Sequence, residues 1–238
     1  MILFIKLFLA HLLGDFIWQP NSWVADKEAK KLKSFYFYLH ILLHGILAAI
    51  LVGEIQFIPY ALLLAASHGI IDLIKLYFQK PKNKRTWFII DQLAHFLVLI
   101  GIVFIYENNT INLLWFGGQF WILITGFILI TKPTSIFIKT IISIWTPENS
   151  ESHTDNSLAS AGNYIGILER LFVFGFILTG HFEAIGFLLG AKSIFRFGDL
   201  KEAKDRKLTE YVLIGTLISF GTAIVTGLIV QALLLQLL

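Results

Sequence analysis

Apolar residues run almost unbroken through about eight stretches of this sequence, residues 2–18, 35–53, 59–78, 87–106, 115–131, 163–180, 183–198 and 209–235. Each is near the roughly 20 residues that carry a helix across the hydrocarbon core of a bilayer. No strand-like alternation long enough to matter accompanies the runs. The expectation is an all-α, polytopic membrane protein of about eight transmembrane helices. Composition agrees, with 56% hydrophobic and 15% charged residues and a mean hydropathy of +0.74, far beyond ordinary soluble domains.

The formal charge of +3 and a pI near 9.0 do not point to nucleic acid, because the basic residues sit in short loops between apolar runs. Lys27, Lys30, Lys31 and Lys33 follow the first run, and Lys80, Lys82, Lys84 and Arg85 follow the third. The turns between carry Glu54 and Glu107 instead, and residues 199–207 are again basic. By the positive-inside rule the lysine-rich loops are cytoplasmic and both termini face outward, with Lys6 counting against this. The N-terminus lacks a basic n-region and a small-residue cleavage site and reads as a retained helix. Residues 146–162, TPENSESHTDNSLASAG, are polar and small and read as a cytoplasmic linker. They divide an N-terminal bundle, 1–145, from C-terminal helices, 163–238. The stretch 132–145 begins with Pro133 and is either a kinked continuation of the fifth helix or a helix in the interface.

Four ionisable pairs lie within the first four runs: His11 and Asp15, His40 and His44, His68 and Asp72, Asp91 and His95. Each is spaced i, i+4, which places both side chains on one helical face a turn apart. At about 1.5 Å per residue all eight lie roughly 5–15 Å from the lysine-rich boundary and can form one layer. Short connections make neighbouring helices antiparallel, so a four-helix bundle would aim the pairs inward, as carboxylate-bridged metal bundles do. Three mid-depth aspartates cost on the order of 8–10 kcal/mol, and a bound metal contributes roughly 10–16. With no cysteine in the chain, the ligands are nitrogen and oxygen, which favours zinc, with manganese or iron as alternatives, and about two ions. The alternatives are hydrogen-bonded staples between helices, or a bis-histidine haem through His44 and His68.

Weaker candidates surround the layer. Gln19, Asp26 and Lys27 are either second-layer or substrate contacts or a polar helix end with a solvated loop. Ser67 points away from His68, which excludes a serine nucleophile paired with it. His153 and His181 read as solvated. In the C-terminal half Glu169, Arg170, Lys192, Arg196 and Glu210 interrupt apolar sequence. They form either an ion-pair network tying helices together or, through Arg170, Lys192 and Arg196, a phosphate-binding group.

The combination AHLLGDFIWQ, LHILLH, SHGIIDLIK and DQLAHF, followed by YIGILERL, AKSIFRFGDL and EYVLIGTLISF, resembles the bacterial domain-of-unknown-function 3307 membrane family over nearly the whole chain. The resemblance implies a multi-pass protein of the bacterial inner membrane and brings no activity with it. The His and Asp motifs are also loosely similar to those of membrane-bound metal-dependent hydrolases, and through them to the all-helical zinc phospholipase C type of site.

The expected function is a metal-dependent hydrolase acting on a phospholipid, prenyl phosphate or other amphiphile, with Asp15, Asp72 and Asp91 as the catalytic carboxylates and Arg170, Lys192 and Arg196 binding the head group. A divalent-metal transporter is the alternative, weakened by the outer halves LAAILV, YALLLA and LVLIGIVFI, which carry scarcely a polar group. A structural or regulatory membrane subunit with a stabilising metal is the third reading. Nothing in the sequence sets the oligomeric state.

Overall fold

The computed structural model describes residues 2–107, 117–145, 156–197 and 206–237, and within them the side chains of all but 156–161, 195–197 and 206–209. Among the described residues every regular element is helical. The elements are α1 (Ile2–Leu12), α2 (Asn21–Lys30), α3 (Phe35–Val52), α4 (Ile58–Phe78), α5 (Lys84–Glu107), α6 (Gly118–Leu129), α7 (Lys132–Ile142), α8 (Asn156–Thr179), α9 (Phe182–Phe197) and α10 (Arg206–Leu235). Six helical stretches are long and apolar enough to cross a membrane, or seven if the bent pair at the N-terminus counts as one span. This is a polytopic all-helical membrane protein. α9 is described over 16 residues, up to Phe197 where that described segment ends, and at the N-terminus the chain bends by 83° between Ile17 and Asn21.

Two compact units divide the chain, residues 1–125 and 126–238. In the first, α1, α3, α4 and α5 pack as a bundle whose turns follow local chemistry. Gly53 closes α3 at φ +75°, a left-handed conformation that suits glycine. Pro59 opens α4, where its missing N–H costs nothing. Towards the Glu54 end the core is largely apolar, built from Leu3, Leu7, Val52, Leu64, Leu99 and Ile102 among others. Lys6 is buried there and donates to the Val52 carbonyl at 3.1 Å. Its charge thus meets the negative end of α3 rather than marking a loop. Towards the other end Trp18, Tyr38 and Tyr77 are exposed, the amphipathic aromatics that settle at a membrane surface.

In the second unit α8 and α10 pack through Val173, Ile177, Phe220 and Ala223. Residues 118–145 together meet the requirements of one span, so α7 continues the line of α6 across a break at Thr131. Pro133 cannot donate to Leu129, and the carbonyls freed there are met by side chains. Thr134 Oγ1 donates to Leu129 O at 2.7 Å, and Arg170 donates through Nε to Ile130 O at 2.6 Å and through Nη2 to Thr131 O at 3.1 Å. A broken helix at membrane depth is tolerated only when its freed groups find such partners. Of the linker read at 146–162, residues 146–155 and with them His153 lie outside the described residues, and residues 156–162 belong to α8. Most of the basic stretch 199–207 also lies outside them.

Candidate metal centre

The eight His and Asp side chains singled out by their spacing converge in the first unit. His40, His44, His68, Asp91 and His95 are at most 3% exposed, His11 5% and Asp72 6%. Asp15 lies at the centre. Its Oδ1 is 3.0 Å from His44 Nε2, 3.2 Å from His40 Nε2 and 3.4 Å from His68 Nε2, while Oδ2 is 3.6 Å from His11 Nε2. The His40 and His68 Nε2 atoms are 3.0 Å apart. His95 Nε2 stands 3.5 Å from Asp91 Oδ1 and 3.8 Å from Asp72 Oδ1. Metal bonds of about 2.0–2.2 Å put neighbouring donors of a tetrahedral site roughly 3.3–3.6 Å apart, close to this set.

Local structure aims these groups. Asp15 falls in a π-helical turn, Leu13–Ile17, closed by Trp18 N donating to Leu13 O at 2.8 Å. Such turns re-aim side chains and recur at functional sites. Gly14 in the same turn makes room for His44, since a Cβ there would stand 2.5 Å from the imidazole Nε2. The α3–α4 approach is close at Gly45, where a Cβ would lie 3.2 Å from that of Ala65. It brings the His44 and His68 rings into a stack with centroids 3.6 Å apart. That stack leaves no gap for a macrocycle between the two rings, so the haem alternative is set aside.

Two cations join the layer that the spacing did not place there. Lys27, carried back by the bend into α2, is buried and donates to Asp72 Oδ2 at 2.7 Å. Lys75 donates to Asp91 Oδ2 at 2.8 Å. Lys27 is therefore a contact of the layer rather than part of a solvated loop. Lys75 had a signal in the sequence, a charge within an apolar span three residues after Asp72. Two of the three carboxylates are thus ion-paired within the protein, and the demand for metal charge is smaller than three unpaired aspartates implied. Gln92 also enters, its Nε2 lying 3.3 Å from Asp15 Oδ2 and 3.2 Å from Asp91 Oδ2. Gln19 reaches His40, its amide nitrogen 3.1 Å from Nδ1. A flipped Gln19 amide would accept from an Nδ1–H and leave Nε2 for an ion. Asp26, by contrast, accepts from Ser34 Oγ at 2.6 Å, and Ser67 Oγ bonds its own helix at Leu64 O, 2.9 Å.

Not every polar atom is satisfied. His44 Nδ1, Asp91 Oδ1 and His95 Nε2 are buried without hydrogen-bond partners, which is costly in a dry interior unless something else meets them. Three sets of donors are compact enough to hold an ion: His11, Asp15, His44 and His68; His40, His68 and Asp72; and Asp15, Asp91 and His95. The layer can hold a metal.

The anticipated head-group cations belong to the second unit. Arg170 Nη1 donates to Ser219 Oγ at 3.1 Å and Nη2 to Ser135 Oγ at 2.6 Å, beyond its bonds to the α6–α7 carbonyls. Lys192 donates to Glu169 at 2.6 Å. The side chain of Arg196 lies outside the described ones, and His181 is exposed.

Fold and site together define a helical membrane protein with a buried His/Asp layer competent to hold metal. The chain belongs to the family described as protein of unknown function, DUF3307, whose model matches residues 3–124. That segment takes in all eight residues of the layer and nearly coincides with the first compact unit, while the C-terminal motifs lie beyond it. No curated protein and no solved structure matches the chain, so the likeness to metal-dependent hydrolases gains no support from relatives.

Proposed function

We propose that the first unit holds two divalent metal ions, zinc foremost with manganese or iron as alternatives, and hydrolyses a lipid or prenyl phosphate at the inner face of a bacterial plasma membrane. The observation that carries this reading is the sharing of donors. Asp15 belongs to two of the three ion-competent sets and His68 to two, as expected where a carboxylate bridges neighbouring ions. Bound ions would acidify a water and polarise a phosphoryl or acyl oxygen. Asp15 would bridge. Asp72 and Asp91 would each present Oδ1 while Lys27 and Lys75 hold Oδ2, and the five imidazoles would complete the ligands. The lysine-rich end is read as cytoplasmic by the positive-inside rule.

The apolar packing towards the Glu54 end favours hydrolysis over transport, because Leu7, Leu99 and Ile102 are at most 3% exposed and fill the bundle beyond the layer. Head-group binding by Arg170, Lys192 and Arg196 is proposed for the second unit by itself, and would require Arg170 and Lys192 to exchange partners they already hold.

The test begins with metal content by mass spectrometry on detergent-purified protein and on His44→Ala and Asp72→Asn. Metal-loaded protein is then assayed against phospholipids and prenyl phosphates, and for metal uptake in proteoliposomes. Stoichiometric metal with turnover is the expected result. Uptake without turnover would make this a transporter, and bound metal with neither would make it a structural centre. Metal-free protein whose variants fold normally would reduce the layer to hydrogen-bonded ties.

A further inference from the structure

The two lysines of the layer are not equivalent. The Lys27 side chain is 6% exposed and that of Lys75 24%, although each donates to one buried carboxylate oxygen. An ammonium has three donors, and Asp91 Oδ2 takes one from Lys75. No other hydrogen bond from Lys75 is seen among the described residues. Its Nζ lies over the Phe88 ring, 5.8 Å from the centroid. The helices that flank it are apolar and open on their outer sides, with Ile74, Phe78 and Ile90 all exposed. Behind it lie Asp91 Oδ1 and His95 Nε2, both buried and 3.5 Å from one another.

Lys75 therefore has a partly exposed side chain whose ammonium rests on Asp91 Oδ2, with candidate metal ligands inward of it. An amphiphile held by its tails against α4 and α5 would meet this ammonium before reaching the layer. Of the layer's two cations, Lys75 has the more exposed side chain.

We infer that Lys75 is a substrate-binding residue which holds the phosphate group of a lipid entering sideways between α4 and α5. The inference rests on the metal-hydrolase reading and narrows its substrate to amphiphiles carrying phosphate. Once Asp91 gives Oδ1 to an ion, its charge is shared, and the Lys75 ammonium is free to attract a second anion. The pair is then a relay of charge from ligand to head group, in which Lys75 keeps one N–H on Asp91 and offers the others outward. A neutral ester would gain nothing from this arrangement.

The test compares binding of three probes to zinc-loaded protein in detergent by calorimetry: short-chain phosphatidic acid, short-chain diacylglycerol and inorganic phosphate. Lys75→Gln retains a donor for Asp91 without the charge, and Lys75→Arg retains the charge. Metal content is measured on each variant first. Phosphatidic acid should bind more tightly than diacylglycerol, with about a tenfold or greater loss in Lys75→Gln and a smaller loss in Lys75→Arg. Zinc content should not change. Zinc-loaded Lys75→Gln that binds phosphatidic acid as the parent does would overturn the inference and leave the metal reading intact. Loss of zinc from Lys75→Gln would also overturn it, making the lysine a positioning residue for Asp91. Equal binding of inorganic phosphate and phosphatidic acid would overturn the lipid source. Parent protein that takes up no zinc at all would instead sink the hydrolase reading itself.

Discussion

Both units bury charge at helical depth, and they treat it in opposite ways. In the second, Arg170 spends its donors on the Ile130 and Thr131 carbonyls and on Ser135 and Ser219, and Glu169 takes Lys192. These polar groups close on their own neighbours and repair a broken helix. In the first, the nitrogens of five histidines turn towards three carboxylates, and within that layer His44 Nδ1 is buried with no hydrogen-bond partner while Asp91 Oδ1 and His95 Nε2 face only each other at 3.5 Å. A buried network that satisfies itself is a tie, whereas one that converges and stays unsatisfied is shaped for something else. The difference teaches that charge within an apolar span is a weak pointer to chemistry until its partners are known.

The comparison breaks most readily at Asp15 and Arg170. Asp15→Asn should weaken zinc binding by more than about 100-fold, roughly 2.7 kcal/mol, in a competition titration against a chromophoric chelator. Arg170→Met should leave zinc binding alone and cost roughly 1–3 kcal/mol for each carbonyl it orphans, seen as a lower unfolding midpoint. Zinc lost from Arg170→Met would erase the distinction between the units.

Chelation tests the same contrast by mass action. Zinc supplied at 100 times its Kd should stabilise the folded protein by about 2.7 kcal/mol, and hydrogen exchange should localise the added protection to α1, α3, α4 and α5. Protection gained equally in α8 and α10 would contradict a site confined to residues 1–125.

Glycines sharpen the comparison on a smaller scale. Gly14→Ala drives a methyl against His44 and should cost about 1–3 kcal/mol together with metal affinity. Gly175→Ala meets open space and should change stability by about 1 kcal/mol or less, in the favourable direction. Smallest of all, Glu169→Gln removes an ion pair whose lysine is 28% exposed and should cost no more than about 1 kcal/mol. A larger loss would show that the second unit depends on that pair and not only on Arg170.

Much of the site was legible because its signals are local. Four i, i+4 pairs inside apolar runs place ionisable side chains on one face of each helix whatever the helices do next. Gln19 could be read from the continuation of the His11 and Asp15 stripe. Lys27 could be suspected but not placed, because its position depends on the 83° bend after Ile17. Lys75 and Gln92 were passed over, since neither shares an i, i+4 relation with a histidine.

The sequence by itself determined the membrane class, the helical spans and the eight residues of the layer. Hydrophobic run length and the 3.6-residue period are properties of single segments and need no partner to be expressed. Tertiary structure decided which oxygen faces which nitrogen, which carboxylates are already paired with lysine, and that Arg170 mends the α6–α7 break. Those outcomes depend on helix rotation and on how closely backbones approach at Gly14 and Gly45, distances that no single segment contains.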